Sequence, residues 1–439
     1  MEKVYLLILN ILISLILFIV SYTKKFYAFS LSMINPVFIL SLLVFFFSFG
    51  FYLNLNSEIA YPTMYQFEYN NGIYAFIVFT VFNISITVGV VLAILTQQFR
   101  RQMYYITFPN IAMLSYKRFV SFLLIFSVSL MIMLIFYKLI IELNGICNWI
   151  KFTAMRFVFF HEERFLQYIS NSLNPILSIY LSTRTPKNKL TWMLIFLYIM
   201  FFILLGARGN IIYLFIIVTT WLTLYGHKFK KKYLILSSPL LILLMFLYIY
   251  IFRTSTQFDS FSDFLAVQGG LVKAFLLTGH FALSGNFIVI IDSNNGLINR
   301  FPFESLLGWI LYPIPREVIP WKPYSASIVF TQTFIPINWE LTRSSTTIGF
   351  VGSLYLGWGL FGILIAAVVF FLIIRMAFFI LSRYKEEIIV FYPFIIMMVI
   401  VFYRTGIMEF GGILWPTIFF YCIYKIFTSF LSKLVCKFV

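Results

Sequence analysis

The sequence predicts an all-α protein that crosses a membrane many times. Of its 439 residues, 62% are hydrophobic and only 11% are charged, whereas a soluble globular protein is about 45–50% apolar and about 25% charged. The mean hydropathy of +0.97 agrees with this class. These figures exclude a soluble enzyme, a disordered chain, a fibre and a secreted disulfide scaffold. One crossing takes about 20 apolar residues, so the chain has room for roughly ten to twelve crossings.

Eleven apolar runs are long enough to be considered as spans. Their approximate bounds are 4–21, 31–53, 73–95, 119–141, 165–183, 190–206, 210–225, 233–252, 348–375, 388–403 and 411–430. The fifth run contains several polar residues and a proline, namely Gln167, Asn171, Asn174 and Pro175. This composition is typical of a helix that lines a cavity or of a re-entrant segment. We therefore expect a polytopic helical bundle of about eleven spans that forms one integral membrane domain over residues 1–439.

The distribution of charge predicts the orientation of the chain. The net charge of +17 is scattered in short basic clusters between the apolar runs, so it does not indicate nucleic-acid binding. The loops after the first, third, fifth, seventh and ninth runs are short and basic, and such loops face the cytoplasm. Of the 15 carboxylates, only Glu386 and Glu387 lie in these loops. The pattern places the N-terminus outside and the C-terminus inside.

One long segment, residues 253–347, is expected to form a large extracytoplasmic loop. It contains six of the 14 prolines and three of the eight tryptophans. A loop this long is usually functional when it has no secondary structure of its own. Apolar stretches such as 306–311 favour short helices that lie on the membrane surface.

The segment Gly206-Ala207-Arg208-Gly209-Asn210 joins the sixth and seventh apolar runs. Each run has only about fifteen residues and spans about 22 Å, against a bilayer core of about 30 Å. We therefore expect the turn to lie below the outer surface, with Arg208 inside it. Gly206 and Gly209 allow the backbone to turn and to approach a ligand closely. The hypothesis is an anion site that faces a buried cavity; the alternative is an arginine that extends to lipid headgroups.

Two further arginines lie beside apolar spans on the predicted outer side, where orientation does not require them. Arg404 joins the last two spans, and Arg343 precedes the ninth. The planar guanidinium suits bidentate binding of phosphate, so Arg208, Arg343 and Arg404 are expected to bind one diphosphate around a common cavity. The alternative is pairing with outer carboxylates such as Glu409 or Glu340.

Metal chemistry and ion-coupled transport are both disfavoured. There are three histidines and three cysteines, and they show no spacing typical of a metal site, so neither a metal nor a cofactor is expected. No clear span has an ionisable residue at its centre, whereas ion-coupled transporters usually keep such groups near the midplane.

The segment from Gly206 to Ile212 resembles the G-[ST]-R-[GA]-x motif of the Wzy-type O-antigen and oligosaccharide repeat-unit polymerases. The order of features is also similar: this motif, a basic loop, a large outer loop, then Ile348-Gly349-x-x-Gly352-Ser353, and finally the outer arginine Arg404. The resemblance covers roughly residues 150–430. Ala207 stands where the family commonly has Ser or Thr, and Glu409 corresponds only loosely to an acid that follows the last arginine.

The resemblance implies a GT-C-like membrane glycosyltransferase in the bacterial cytoplasmic (inner) membrane. Its donor and acceptor would be glycan repeat units on undecaprenyl pyrophosphate, and the product an O-antigen or capsular-type polysaccharide. A chain-length regulator, the Wzz-type co-polymerase, is an implied partner. His280, Glu340 and Glu409 are candidate catalytic bases that the sequence does not rank. Two alternatives stay open: an O-antigen ligase, which differs in its acceptor, and a non-enzymatic polysaccharide flippase or exporter.

Overall fold

The computed structural model of the protein describes residues 1–22, 35–56, 71–96, 111–142, 164–204, 208–225, 283–293, 304–314, 316–336, 339–340, 345–383 and 385–438. These residues form thirteen α-helices and no β-strand. Seven of the helices are long and apolar enough to cross a membrane. The predicted class, an all-α membrane protein of several spans, is therefore confirmed. In a bilayer, only a helix satisfies every backbone polar group within one segment.

The helices are α1 (Glu2–Ser21), α2 (Pro36–Asn56), α3 (Gly72–Leu95), α4 (Ile111–Glu142), α5 (Arg164–Ser182), α6 (Lys189–Leu204), α7 (Arg208–Leu224), α8 (Leu283–Asp292), α9 (Glu304–Ile310), α10 (Ala326–Phe334), α11 (Gly349–Leu381), α12 (Lys385–Arg404) and α13 (Ile407–Phe438). The seven helices of membrane length are α1 to α4 and α11 to α13. α6 and α7 are apolar but have only 16 and 17 residues, as the short sixth and seventh runs predicted. The eighth predicted span, 233–252, lies outside the described residues, so the count of eleven stays a prediction.

α11 differs from the single span predicted at 348–375. Gly359 has φ 60° and ψ −144°, a conformation that only glycine adopts easily, and it divides the helix into α11a (349–358) and α11b (360–381). The rings of Phe350 and Phe370 lie 6.4 Å apart, although a straight helix would separate them by about 30 Å. The two parts therefore double back on each other. Hydropathy gave no sign of the break, because both parts are uniformly apolar.

By contacts within the chain, the protein groups into two compact units. Unit 1 comprises residues 1–100, 260–378 and 395–411, and unit 2 comprises 101–259, 379–394 and 412–439.

In unit 1, polar contacts place the helix ends in two groups. Lys3 Nζ donates to the carbonyl of Leu55 at 2.8 Å, and the backbone N–H of Asn71 donates to Asp292 at 2.9 Å. The start of α1, the end of α2, the start of α3 and the end of α8 therefore lie at one end of the unit. At the opposite end, Asn35 donates to the carbonyl of Ser21 and accepts from the N–H of Val37, so it links α1 to α2 and caps α2. This grouping agrees with the predicted alternation of loops.

The described part of the predicted outer loop contains three short helices, and one of them is deeply buried. Nine of the ten residues of α8 are buried. Val289 and Ile290 of α8 pack with Phe330 of α10 and with Ile348, just before α11. The loop is therefore partly built into the core of unit 1. α9 is closer to the surface helix predicted over 306–311, since Leu307 and Ile310 are exposed.

In unit 2, a cluster of three charges joins α4, α12 and α13. Glu386 pairs with Lys117 at 2.6 Å and with Lys425 at 3.5 Å. The hydroxyls of Ser121 and Thr183 lie 3.0 Å apart, which places the end of α5 beside the same end of α4. The start of α4, the end of α5, the start of α12 and the later part of α13 therefore lie at one end of this unit. The sequence assigns these described segments to the cytoplasmic side.

The charge pattern of the loops predicts the result of reporter fusions. A reporter enzyme that folds only outside the cytoplasm should be inactive when fused after Lys232 and active when fused near Asn294, because the short basic loop is expected in the cytoplasm and the long loop outside. A cytoplasmic fluorescent reporter at the same positions is the control and should give the opposite result. Equal activity of either reporter at both positions would contradict the alternation.

Candidate functional site

Arg404 is the last residue of α12 and lies at a sharp turn into α13. The backbone N–H groups of Thr405 and Gly406 both donate to the carbonyl of Val401, at 2.7 and 3.2 Å, and the Thr405 hydroxyl donates to the same oxygen at 2.8 Å. Gly406 has φ 118°, which a residue with a Cβ rarely adopts. Two residues are therefore enough to reverse the chain and to leave Arg404 at the tip of a helical hairpin.

The tip of this hairpin lies deep in unit 1, level with the middle of α3. Tyr403 is fully buried, and its hydroxyl donates to Asn83 Oδ1 at 2.9 Å. Asn83 is eleven residues from Gly72, or about 16 Å along α3. α3 itself has 24 residues, slightly more than a bilayer core requires. Arg404 therefore lies about halfway along a helix of membrane length, where a cation needs an anion, a polar partner or water.

The start of α11a approaches the same tip. The ring of Phe350 lies 5.5 Å from that of Phe402 and 6.2 Å from that of Phe82. Gly349 has φ 70°, and a Cβ there would come within 2.1 Å of Leu283. The first N–H groups of α11a thus begin at the depth of the hairpin tip, and a helix N-terminus carries partial positive charge. Arg343 lies outside the described residues.

On another side, a segment of the outer loop covers the start of α13. A Cβ at Gly411 would come within 2.7 Å of the Tyr312 ring, so only glycine permits this contact. Lys322, which is 8% exposed, donates from Nζ to the carbonyls of Tyr312 and Ile314, both at 2.9 Å. Arg316 stacks on the ring of Tyr324, with Cζ 3.7 Å from the centroid. Two more cations therefore belong to the segment that packs on the hairpin tip.

In unit 2, α6 and α7 form a second hairpin with Arg208 as the first residue of α7. Trp221, near the other end of α7, donates to the carbonyl of Arg184 at 3.0 Å, just beyond α5. Asn174 Nδ2 donates to the carbonyl of Asn210 at 3.0 Å, and Asn174 is about 12 Å from the end of α5. α7 therefore begins beside the middle of α5, which agrees with the depth predicted from its short length.

The start of α7 has two features that suit a ligand. A Cβ at Gly209 would meet no atom within 4 Å. The Oδ1 atom of Asn174 is buried without a hydrogen-bond partner among the described residues, so it can accept from a donor at this site. The predicted role of Gly209 in the turn itself is wrong, because Gly209 lies inside the first helical turn of α7; the role in close approach of a ligand stays a prediction.

The remaining predicted site residues are placed only in part. His280 and Gly206 lie outside the described residues, and so do the side chains of Arg208 and Glu409. Position 409 is in the first turn of α13, just after the tip that carries Arg404. Glu340 is exposed. Arg208 and Arg404 belong to different units, so a common cavity for the three arginines stays a prediction.

No group of three metal-ligating side chains occurs among the residues that the structure describes; independence from metal stays a prediction. Lys322, Tyr312, Asn10 and Asn83 also take part in contacts within unit 1, and none of them was predicted from the sequence. The sequence does mark the two asparagines, since each is a polar residue within an apolar run. It does not mark Lys322 or Tyr312, because a lysine and a tyrosine in an outer loop are ordinarily solvated.

Comparison of the chain with models of protein families, with curated proteins and with solved structures finds no match in any of the three.

The contact between Tyr312 and Gly411 predicts a strong dependence of stability on residue 411. Gly411→Ala should lower the free energy of unfolding by about 1–3 kcal/mol, because the methyl group overlaps the tyrosine ring. In a Tyr312→Ala background the same change should be neutral or slightly stabilising, since alanine favours a helix by about 0.5–1 kcal/mol. The measurement is thermal unfolding in detergent.

Gly209→Ala is the matched control for this experiment, because it adds a methyl group to a helical glycine with open space around it. It should leave the unfolding temperature unchanged or raise it. Unaltered stability of the Gly411→Ala protein in the native background would contradict the contact.

Proposed function

We propose that this protein polymerises oligosaccharide repeat units carried on undecaprenyl pyrophosphate, at the outer face of the bacterial inner membrane. The observation that carries the proposal is the position of Arg404. It ends α12 one residue after Tyr403, whose hydroxyl meets the middle of the membrane-length α3, and the neighbouring Phe402 contacts Phe350 of α11a and Phe410. These are the features of an anion site in apolar surroundings.

An anion that reaches such a depth needs an apolar carrier, because a free phosphate does not leave water for the membrane interior. A polyprenyl pyrophosphate combines the two properties. Its diphosphate suits the planar guanidinium of Arg404, which donates two parallel hydrogen bonds. The N-terminus of α11a supplies a second, partial positive charge. Two more cations, Lys322 and Arg316, belong to the segment that packs on Gly411.

The reaction proposed is a glycosyl transfer. The acceptor hydroxyl oxygen attacks the anomeric carbon of the donor and forms a new glycosidic bond. The bond between that carbon and the pyrophosphate oxygen breaks, and lipid pyrophosphate leaves with the electron pair. The acceptor proton passes to a base. Arg404 stabilises the charge that develops on the leaving group, and such a donor contributes about 10²–10³ in rate.

Of the three candidate bases, the position of Glu409 fits this reaction best. It follows Arg404 by five residues, across the turn of Thr405 and Gly406, and so lies at the same hairpin tip. The alternative that Glu409 pairs with Arg404 stays open. Glu340 is exposed, which suits a residue that meets solvent or an acceptor from outside.

The outer loop offers surfaces suited to a glycan. Trp321 is 67% exposed and Tyr324 is 43% exposed, and aromatic faces of this kind pack on the apolar faces of sugar rings. Arg316 holds the loop at this point, since it donates to the carbonyls of Lys322 and Pro323. A loop that presents exposed aromatic rings favours an enzyme that handles long saccharides over a flippase.

The O-antigen ligase hypothesis uses the same lipid donor and differs only in the acceptor, so the same site serves it. The Wzz-type regulator is part of the polymerase proposal alone, because a ligase does not set chain length.

Substitution of the two arginines tests the proposal. Arg404→Lys and Arg208→Lys keep the charge but remove the planar guanidinium and its two parallel hydrogen bonds. Each substitution should lower polymerisation about 10²–10³-fold. The assay is formation of glycan ladders from purified lipid-linked repeat units by protein in lipid nanodiscs. Arg383→Lys is the matched control, since Arg383 lies over Phe379 near the start of α12 and should leave activity intact.

Three outcomes separate the hypotheses. A normal ladder from Arg404→Ala protein would remove this residue from the site. A single transfer to a lipid acceptor, with no ladder even from the native protein, would identify a ligase. Movement of labelled lipid across vesicles with no new glycosidic bond would identify a flippase.

The proposal also predicts that polymerisation continues in excess EDTA, because arginines neutralise the leaving pyrophosphate in place of Mg²⁺. The assay is the same ladder formation, measured before and after dialysis against the chelator. Activity that disappears with EDTA and returns with Mg²⁺ or Mn²⁺ would show that the arginines are not sufficient.

A further inference from the structure

Four buried side chains of unit 1 form one continuous chain of hydrogen bonds, which we call the relay: Asn10, Thr80, Asn83 and Tyr403. The Tyr403 hydroxyl donates to Asn83 Oδ1 at 2.9 Å, and Asn83 Nδ2 donates to Asn10 Oδ1 at 2.7 Å. Asn10 Nδ2 donates to Thr80 Oγ1 at 2.8 Å. None of the four side chains is more than 3% exposed.

Two members of the relay, Asn10 and Thr80, also donate to backbone carbonyls of their own helices. Asn10 Nδ2 also donates to the carbonyl of Leu6 at 2.8 Å, and the Thr80 hydroxyl donates to the carbonyl of Phe76 at 2.7 Å. Each carboxamide therefore uses both its oxygen and its nitrogen. Because an unmade bond in apolar surroundings leaves a polar group without solvent, such a network has one strongly preferred geometry.

Packing fixes the tyrosine that ends the relay. The Tyr403 ring lies 5.3 Å from the ring of Phe47 and 5.7 Å from that of Phe82. The next residue is Arg404, and the helix ends there. The position of Tyr403 therefore determines where the tip of the hairpin stands in the depth of unit 1.

We infer that the relay positions Arg404 for the pyrophosphate of the lipid-linked substrate, so that Asn10 and Asn83 are positioning residues that touch no substrate. This inference rests on the proposed function. The bonds between α1 and α3 alone would serve to hold those two helices together. The additional bond from Tyr403 extends the network to the hairpin tip, and a helix-pairing role does not require it.

The first test measures the hairpin tip directly and needs no enzymatic activity. Cys147, Cys422 and Cys436 are replaced by serine, and Arg404→Cys provides the only thiol. The rate at which a charged methanethiosulfonate modifies this thiol in nanodiscs is compared with and without Tyr403→Phe, Asn83→Leu or Asn10→Ala. Each variant should raise the rate about 5–30-fold, the factor that corresponds to one or two lost hydrogen bonds.

Ser14→Ala is the matched control. Ser14 is buried on α1, one turn from Asn10, and its hydroxyl donates to the carbonyl of Ser41 on α2 at 2.8 Å. It loses a buried bond on the same helix but has no link to Tyr403, and it should leave the rate unchanged. The double variant Asn83→Leu with Tyr403→Phe should not exceed the Asn83→Leu single variant, because Asn83→Leu already removes the bond that Tyr403→Phe breaks.

Equal rates in the relay variants and the Ser14→Ala protein would overturn the inference, as would additive effects of Asn83→Leu and Tyr403→Phe.

The second test measures glycan polymerisation with Arg404 present. The relay variants should lower kcat and leave KM for the acceptor unchanged. Changed thiol rates with normal polymerisation would refute the role of Arg404 and leave the relay as a device that fixes the tip. Lost polymerisation with unchanged thiol rates would refute the relay and leave the proposed function intact.

Discussion

The architecture of this protein depends on one constraint: polar groups inside a membrane must find their partners within the protein. The turn between α12 and α13 obeys it closely. The carbonyl of Val401 accepts three donors there, and the neighbouring Tyr403 completes a bond to Asn83. With its backbone satisfied in this way, the hairpin can end halfway along α3. The same turn leaves the cation Arg404 at the end of the hairpin.

Both units contain a helix that begins at intermediate depth. In unit 2, α7 starts with Arg208 beside the middle of α5, where Asn174 donates to the carbonyl of Asn210. In unit 1, α11a starts near Phe402, after the segment that contains Arg343. The start of α11a requires a glycine, because Gly349 adopts φ 70°. Gly209 in the first turn of α7 has no such constraint, since a Cβ there would meet no atom within 4 Å.

The sequence predicted the helical class and the short α6 and α7, because both follow from the length and composition of apolar runs. It did not predict the break at Gly359, since a glycine between two apolar segments has no hydropathy signal. Nor did it predict that Tyr312 packs on Gly411 or that Lys322 is buried. Both depend on contacts between residues distant in sequence, for which a single sequence has no periodic pattern. Asn10 and Asn83 interrupt apolar runs visibly, but the bond between them and the bond from Tyr403 to Asn83 become evident only when α1, α3 and α12 are placed together.

The pairing of Lys425 with Glu386 has a practical consequence for handling the protein. Glu386 is at the beginning of α12, whereas α13 continues for thirteen residues after Lys425. These residues extend about 20 Å along the helix axis beyond the ion pair. The apolar span of α13 ends at Leu431, seven residues before Phe438, so an affinity handle or a fluorophore attached after Phe438 lies beyond the span and can serve purification or single-molecule imaging.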